Sequence, residues 1–159
     1  MTLCERLQEN GWLIFPGVVP IDLCEDVMRD IAFHLLGDGF GHLACPDAYG
    51  MVEMYHYQSM WNVRQHPAVH EVFAELFDGD PLWVSFDRTC CKRPLGPSDK
   101  AYGFVHWDIN VNQRPRPFEV QGVVALTDTD DKMGGFQCLP GLYRDLDGWL
   151  AKQPCGKAQ

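Results

Sequence analysis

The apolar positions of the chain predict helices mainly in its first half. In the first helix, apolar residues recur every four positions, at Leu23, Val27, Ile31 and Leu35. The pattern begins after Pro20 and stops at Gly37, as a helix with one buried face does. A second helix is predicted from Pro67 to the turn at 78–81, because its apolar residues also share one face. A short last helix is predicted from about Tyr143 to Lys152.

Strands are predicted where aromatic and β-branched residues cluster without a helical period. Gly11 to Phe15 (GWLIF) predicts a buried strand that a turn at Pro16-Gly17 closes. The later strands are predicted at 82–91 (LWVSFDRTCC), Tyr102 to Trp107, Glu119 to Thr127 and Gly135 to Leu139. Residues 37–50 are rich in glycine and predict a long irregular loop. Helices early and strands late favour an α+β fold.

Length and composition indicate one soluble domain that spans residues 1–159. The chain has 159 residues, of which 46% are apolar, enough to build a core. Its net charge of −9 is the wrong sign for a nucleic-acid surface. The sequence has no apolar run long enough to cross a membrane and no signal-peptide pattern, so we expect a cytoplasmic protein without membrane or nucleic-acid partners.

Several catalytic classes lack their minimum residues in this sequence. The seven cysteines are irregularly spaced and contain no C-x-x-C pair, so most of them are expected to be reduced small hydrophobes. Cys90-Cys91 have no histidine motif or helix terminus to lower a thiol pKa. The nucleophile elbow, the P-loop and the dinucleotide-binding glycine motif are absent from the sequence.

The triplet His106-Trp107-Asp108 is the strongest chemical signal in the sequence. Residues i and i+2 of an extended chain face the same side, so an imidazole and a carboxylate are presented together. They offer two of the three ligands of a facial triad, which binds ferrous iron and leaves positions open for a co-substrate and oxygen. The alternative is a hydrogen-bonded pair at a strand end, since H-x-D occurs by chance in many proteins.

The order of motifs resembles the phytanoyl-CoA dioxygenase family. After H-x-D comes a predicted strand with a short acidic turn at Thr127-Asp128, and then Gly134 to Gly141 (GGFQCLPG) followed by Leu142-Tyr143-Arg144. The likeness extends upstream through GWLIF, a helix opening near His66-Pro67, and Lys92-Arg93-Pro94. It spans nearly the whole chain, and its most specific part runs from Leu82 to Arg144.

The resemblance implies a double-stranded β-helix, a jelly roll of the cupin type, preceded by N-terminal helices. It implies an oxidoreductase, a dioxygenase that binds Fe(II), uses 2-oxoglutarate as co-substrate and hydroxylates a small organic substrate. His106 and Asp108 would be the metal ligands. Thr89 and Trp107 stand where family members line the 2-oxoglutarate pocket, although a glutamine is common at the position of Trp107.

The sequence departs from the family downstream of the P-G turn. Family members carry their second iron-binding histidine and the co-substrate arginine there, whereas this chain has no histidine after Asp108. We therefore expect the C-terminal strands of the jelly roll to be missing. Either the chain is a fragment of a longer enzyme, the favoured account, or it is a short relative that has lost the reaction, and catalysis by this chain alone is in question. Unpaired sheet edges would then favour a homo-oligomer.

The remaining candidates carry structural alternatives. Five histidines lie upstream of the triplet, and we expect each of them to have a structural role and not to bind iron: His34, His42, His56, His66 and His70. His42 is the best candidate among them for a third iron ligand, because the predicted loop that contains it is expected to be flexible. Basic groups near the site could equally form a solvated rim; they are Lys92, Arg93, Arg114, Arg116 and Arg144. The alternative function is a non-catalytic jelly-roll module that binds a ligand or a partner chain.

Overall fold

The computed structural model describes residues 1–36, 50–92, 105–130 and 133–154. These residues form two compact units. The first takes its residues from 1–14, 103–123 and 136–159, and the second from 15–102 and 124–135. The single domain expected over 1–159 stays a prediction.

The second unit is built around helix α2, Ile21–Leu36, which the sequence pattern predicts correctly. Its buried positions are Cys24, Val27 and Ile31, while Leu23 and Leu35 pack against the core from its edge. Helix α3, Gln58–Arg64, contacts α2 and contributes Met60 and Val63 to the same core. Val52 and Met54 complete it. Burial of these side chains from water stabilises the unit.

Two polar features fix the helices of this unit. Ser59 of α3 is buried, and its hydroxyl donates a hydrogen bond of 2.5 Å to Oδ2 of Asp30 on α2. This bond stabilises the unit, because a buried hydroxyl without a partner costs free energy. Helix α4, Pro67–Leu76, begins where the sequence predicts, with Pro67 in its first turn and His66 as its N-cap. The His66 ring accepts from the Ala68 amide at 3.3 Å. Only Leu76 of the predicted apolar face is buried.

In the described residues, strand pairing is limited to β1, Met51–Val52, and β2, Thr89–Cys90. The pair is antiparallel, with Met51 opposite Cys90 and Val52 opposite Thr89. The other described parts of the predicted strands are irregular, and the predicted buried strand at 11–15 is wrong, since Ile14 is 76% exposed. The strand propensity of aromatic and β-branched residues reflects how well they pack on a sheet surface, more than a preference of their own backbone. Without a neighbouring strand to pair with, such a segment does not form a strand. The double-stranded β-helix stays a prediction.

The first unit joins residues that are far apart in sequence. Helix α1, Leu3–Asn10, which the sequence pattern does not predict, opens with a capping box between Thr2 and Glu5 and ends at Gly11 in the left-handed conformation. It contacts helix α5, Pro140–Arg144. A Cβ on Gly11 would lie 2.8 Å from Cδ1 of Tyr143, so only glycine fits this approach.

The last predicted helix, 143–152, is divided in the structure. Helix α5 ends at Arg144 and helix α6 runs over Leu146–Leu150, with Asp145 between them outside the helical conformation. Arg144 ties this region to α1, because its Nε donates to the carbonyl of Glu9 at 3.1 Å. Among the described residues, every helix is too short or too polar to cross a membrane.

Candidate metal centre

His106 and Asp108 lie in an irregular segment of the first unit and contact each other. Nε2 of His106 is 3.1 Å from Oδ1 of Asp108. The two side chains are 47% and 53% exposed, so both are open to solvent. The structure therefore brings together the two residues that the sequence pairs, and places them where a solute can reach them.

Gln121 completes this arrangement. Its Nε2 donates to Oδ2 of Asp108 at 2.8 Å, so each carboxylate oxygen of Asp108 has its own neighbour. Sequence reasoning does not single out Gln121, because it is a polar residue 13 positions away in a predicted strand and no motif marks it. Only the folded chain shows that its amide reaches the carboxylate.

The two donor atoms fit a divalent cation. Ligands about 2.1 Å from a metal and at right angles to each other lie about 3.0 Å apart, and the separation here is 3.1 Å. Imidazole nitrogen and carboxylate oxygen are also the donor types that iron takes in a facial triad. The same distance suits a direct hydrogen bond between the side chains, so the geometry is compatible with both interpretations from the sequence.

The residues expected near the co-substrate fall in different units. Trp107 lies between the two candidate ligands and is half-buried. Thr89 lies in β2 of the second unit, and its Oγ1 is buried without a hydrogen-bond partner in the part of the chain that the structure describes. An orphaned hydroxyl of this kind costs about 1–3 kcal/mol, and a bound ligand that supplies its partner would recover that cost.

Three of the upstream histidines take structural places, whereas His70 is exposed on α4. Nδ1 of His34 lies 3.1 Å from the hydroxyl of Tyr57, His66 caps α4, and His56 packs beside Trp61 and Phe86. His42 lies outside the described residues. Among the described residues, no group of three or more histidine, cysteine, aspartate or glutamate side chains is placed to hold a metal ion. Cys24 behaves as a small hydrophobe, since burial, followed by the charge of Asp22, raises the pKa of its thiol.

The basic residues expected around the site have partners of their own. Arg114 and Arg116 both bind the carboxylate of Asp147, and both also donate to the carbonyl of Val111. Nζ of Lys92 donates to the carbonyl of Gly134 at 3.0 Å. Arg93 lies outside the described residues. The two guanidinium groups on Asp147 form a structural cluster of the first unit.

This cluster predicts a pH-dependent contribution to stability. The hydrogen bond from Arg116, reinforced by the charges of Arg116 and Arg114, lowers the pKa of Asp147 below its usual range. A carboxylate with a depressed pKa stabilises the fold above its unfolded pKa, about 3.9. That contribution disappears as the pH falls through the lower, folded-state pKa.

We expect Asp147→Asn to lower the urea midpoint at pH 7 and the difference from the unchanged chain to close as the pH falls below about 4. Asp128→Asn, at an exposed carboxylate outside the cluster, serves as the control, with a profile parallel to the unchanged chain. A deficit of equal size at pH 7 and pH 3 would contradict the ionic role of Asp147.

Comparison of the chain with protein-family models, with curated proteins and with solved structures gives no match. The resemblance to phytanoyl-CoA dioxygenases therefore stays a prediction, and the motif residues described above carry it.

Proposed function

We propose that the chain is an Fe(II)- and 2-oxoglutarate-dependent dioxygenase, or part of one, of the phytanoyl-CoA dioxygenase type, with a jelly-roll fold and a small organic substrate. The observation that carries this proposal is the side-by-side placement of Nε2 of His106 and Oδ1 of Asp108, 3.1 Å apart and open to solvent. The order of the motifs supports the assignment to this family, and the imidazole and carboxylate donors support the binding of iron.

Each of the chain's own groups has a defined task in this reaction. His106 binds the metal as a neutral imidazole, through Nε2, and Asp108 contributes a negative charge through Oδ1. Because both side chains are about half exposed, the side of the pair that faces solvent is open to a co-substrate.

Fe(II) held by His106 and Asp108 would, together with 2-oxoglutarate, supply the oxidation: one atom of O2 would enter the succinate formed as 2-oxoglutarate loses CO2, and the other would enter a C–H bond of the substrate as a hydroxyl.

The test is equilibrium dialysis of the purified chain against Fe(II) without oxygen, followed by 2-oxoglutarate and then air. We expect about one Fe(II) per chain and retention of 2-oxoglutarate only by the iron-loaded protein. Release of succinate once oxygen enters would show in addition that this chain alone completes the reaction, whereas its absence would show that the reaction needs further residues. Metal-stripped protein is the control. A chain that retains neither iron nor 2-oxoglutarate would overturn the proposal.

A second candidate is the non-catalytic module that binds a partner chain. The exposed apolar residues of the segment before β2 favour it, above all Trp83, which is 99% exposed, together with Val84 and Phe86. Exposed aromatic residues grouped in this way are typical of interaction surfaces. For this candidate we expect no succinate and weak iron binding, together with concentration-dependent association that Trp83→Ser weakens.

A further inference from the structure

We propose that Gln121 is a positioning residue for the metal: it orients the carboxylate of Asp108 so that Oδ1 stands beside Nε2 of His106. This inference rests on the proposed metal-binding function of His106 and Asp108. It adds a residue that neither the H-x-D motif nor the family resemblance points to.

The hydrogen-bond pattern of Asp108 carries the argument. An aspartate carboxylate turns easily about its last side-chain bond, because the rotational preference there is broad and roughly two-fold. In this structure one oxygen of Asp108 accepts from Nε2 of Gln121 at 2.8 Å, and the other lies 3.1 Å from the imidazole. The amide therefore fixes which oxygen faces His106 and at what angle.

Solvent exposure makes this contact important for binding. Asp108 is 53% exposed, so no dense packing holds its side chain in place. Without the amide of Gln121, the carboxylate must give up its rotational freedom when the metal binds, and that loss weakens the affinity. Hydrogen bonds to ligating carboxylates change metal affinity by about 10- to 100-fold when they are removed. Because this amide is exposed, we expect the lower end of that range.

The experiment measures the affinity of the full chain for Co(II) alone, by titration of the visible absorption of the bound ion. Co(II) takes the same nitrogen and oxygen donors as Fe(II) and does not need anaerobic conditions in this assay. The variants are Gln121→Met, which keeps the length of the side chain but has no N–H donor, and Gln121→Ala. The matched control is Gln113→Ala, at an exposed glutamine of the same unit.

We expect both Gln121 variants to bind Co(II) about 10-fold more weakly, with a thermal midpoint of the metal-free chain equal to that of Gln113→Ala. Equal losses in Gln121→Met and Gln121→Ala would assign the effect to the N–H donor and not to side-chain bulk. A purely structural role would instead lower the thermal midpoint of the metal-free chain.

Two results would overturn the inference, and they differ in what they say about the metal site. If the unchanged chain binds Co(II) and both Gln121 variants bind it equally well, Gln121 does not position Asp108, while the proposed function stands. If the unchanged chain binds no Co(II), the metal site itself is wrong and the role of Gln121 falls with it.

Discussion

His106→Ala and Asp108→Ala should each abolish metal binding by the chain. Each substitution removes one of two ligands, so the loss of affinity should exceed the roughly 10- to 100-fold that follows the loss of a supporting hydrogen bond. The measurement is anaerobic Fe(II) titration, with Co(II) as a second probe. Both side chains are about half exposed, so the free energy of unfolding should change by no more than about 0.5 kcal/mol.

The controls separate the candidate ligands from residues of the same type. His70→Ala changes an exposed histidine on α4, and Asp128→Ala changes an exposed aspartate. Both should bind metal like the unchanged chain. Retention of iron by both His106→Ala and Asp108→Ala would leave the hydrogen-bonded pair as the better account of H-x-D.

Met54→Ala should produce the largest loss of stability in the second unit. Met54 is 1% exposed and belongs to the core cluster that α2 and α3 form with Val52. Truncation of a buried methionine leaves a cavity and costs about 2–5 kcal/mol. For a chain of this size, that corresponds to a fall in the thermal midpoint of about 4–20 °C. Scanning calorimetry measures it directly.

Two other methionine substitutions serve as controls for this result. Met54→Leu preserves most of the volume and should cost less than about 1.5 kcal/mol. Met133→Ala changes a side chain that is 52% exposed and should stay within about 0.5 kcal/mol of the unchanged chain. A Met54→Ala chain as stable as Met133→Ala would show that the cluster does not hold the second unit together.

The helices that the sequence predicts are those with a local signal of their own. Helix α2 has a four-residue apolar period between Pro20 and Gly37, and α4 has Pro67 at its start. Helix α1 also carries a readable signature, the capping box of Thr2 and Glu5, which apolar periodicity overlooks because the helix is mostly exposed. Helix α3 is not predicted from the sequence. It buries Ser59, and the hydrogen bond that makes this burial possible is accepted by Asp30, 29 positions away.

Strands are harder to predict, because a ladder needs a partner that the local sequence does not contain. The aromatic and β-branched run at 82–91 predicts one long strand, yet only Thr89–Cys90 pairs, with Met51–Val52. In the described residues, Trp83 and Phe86 of the same run lie exposed outside the ladder. Pairing is decided by distant segments, so residue type alone cannot give the length of a strand.

In the candidate site, too, some residues can be predicted from the local sequence and others cannot. His106 and Asp108 are predictable, because a spacing of two residues makes their proximity a local property of the backbone. Gln121 is not predictable, because its hydrogen bond to Asp108 depends on a chain reversal over 13 positions. Thr89 is named through the family resemblance, while only the structure shows that its hydroxyl is buried with no hydrogen-bond partner among the described residues.

The contact between α1 and α5 has a consequence for synthesis on the ribosome. Glu9 and Arg144 are separated by 135 positions, so at 5–20 residues per second Arg144 leaves the ribosome about 7–27 s after Glu9. In that interval the buried core of the second unit is already synthesised, because all of its residues lie between Val27 and Val63. The first unit closes last during translation, and nascent chains arrested before residue 140 should leave α1 open to protease.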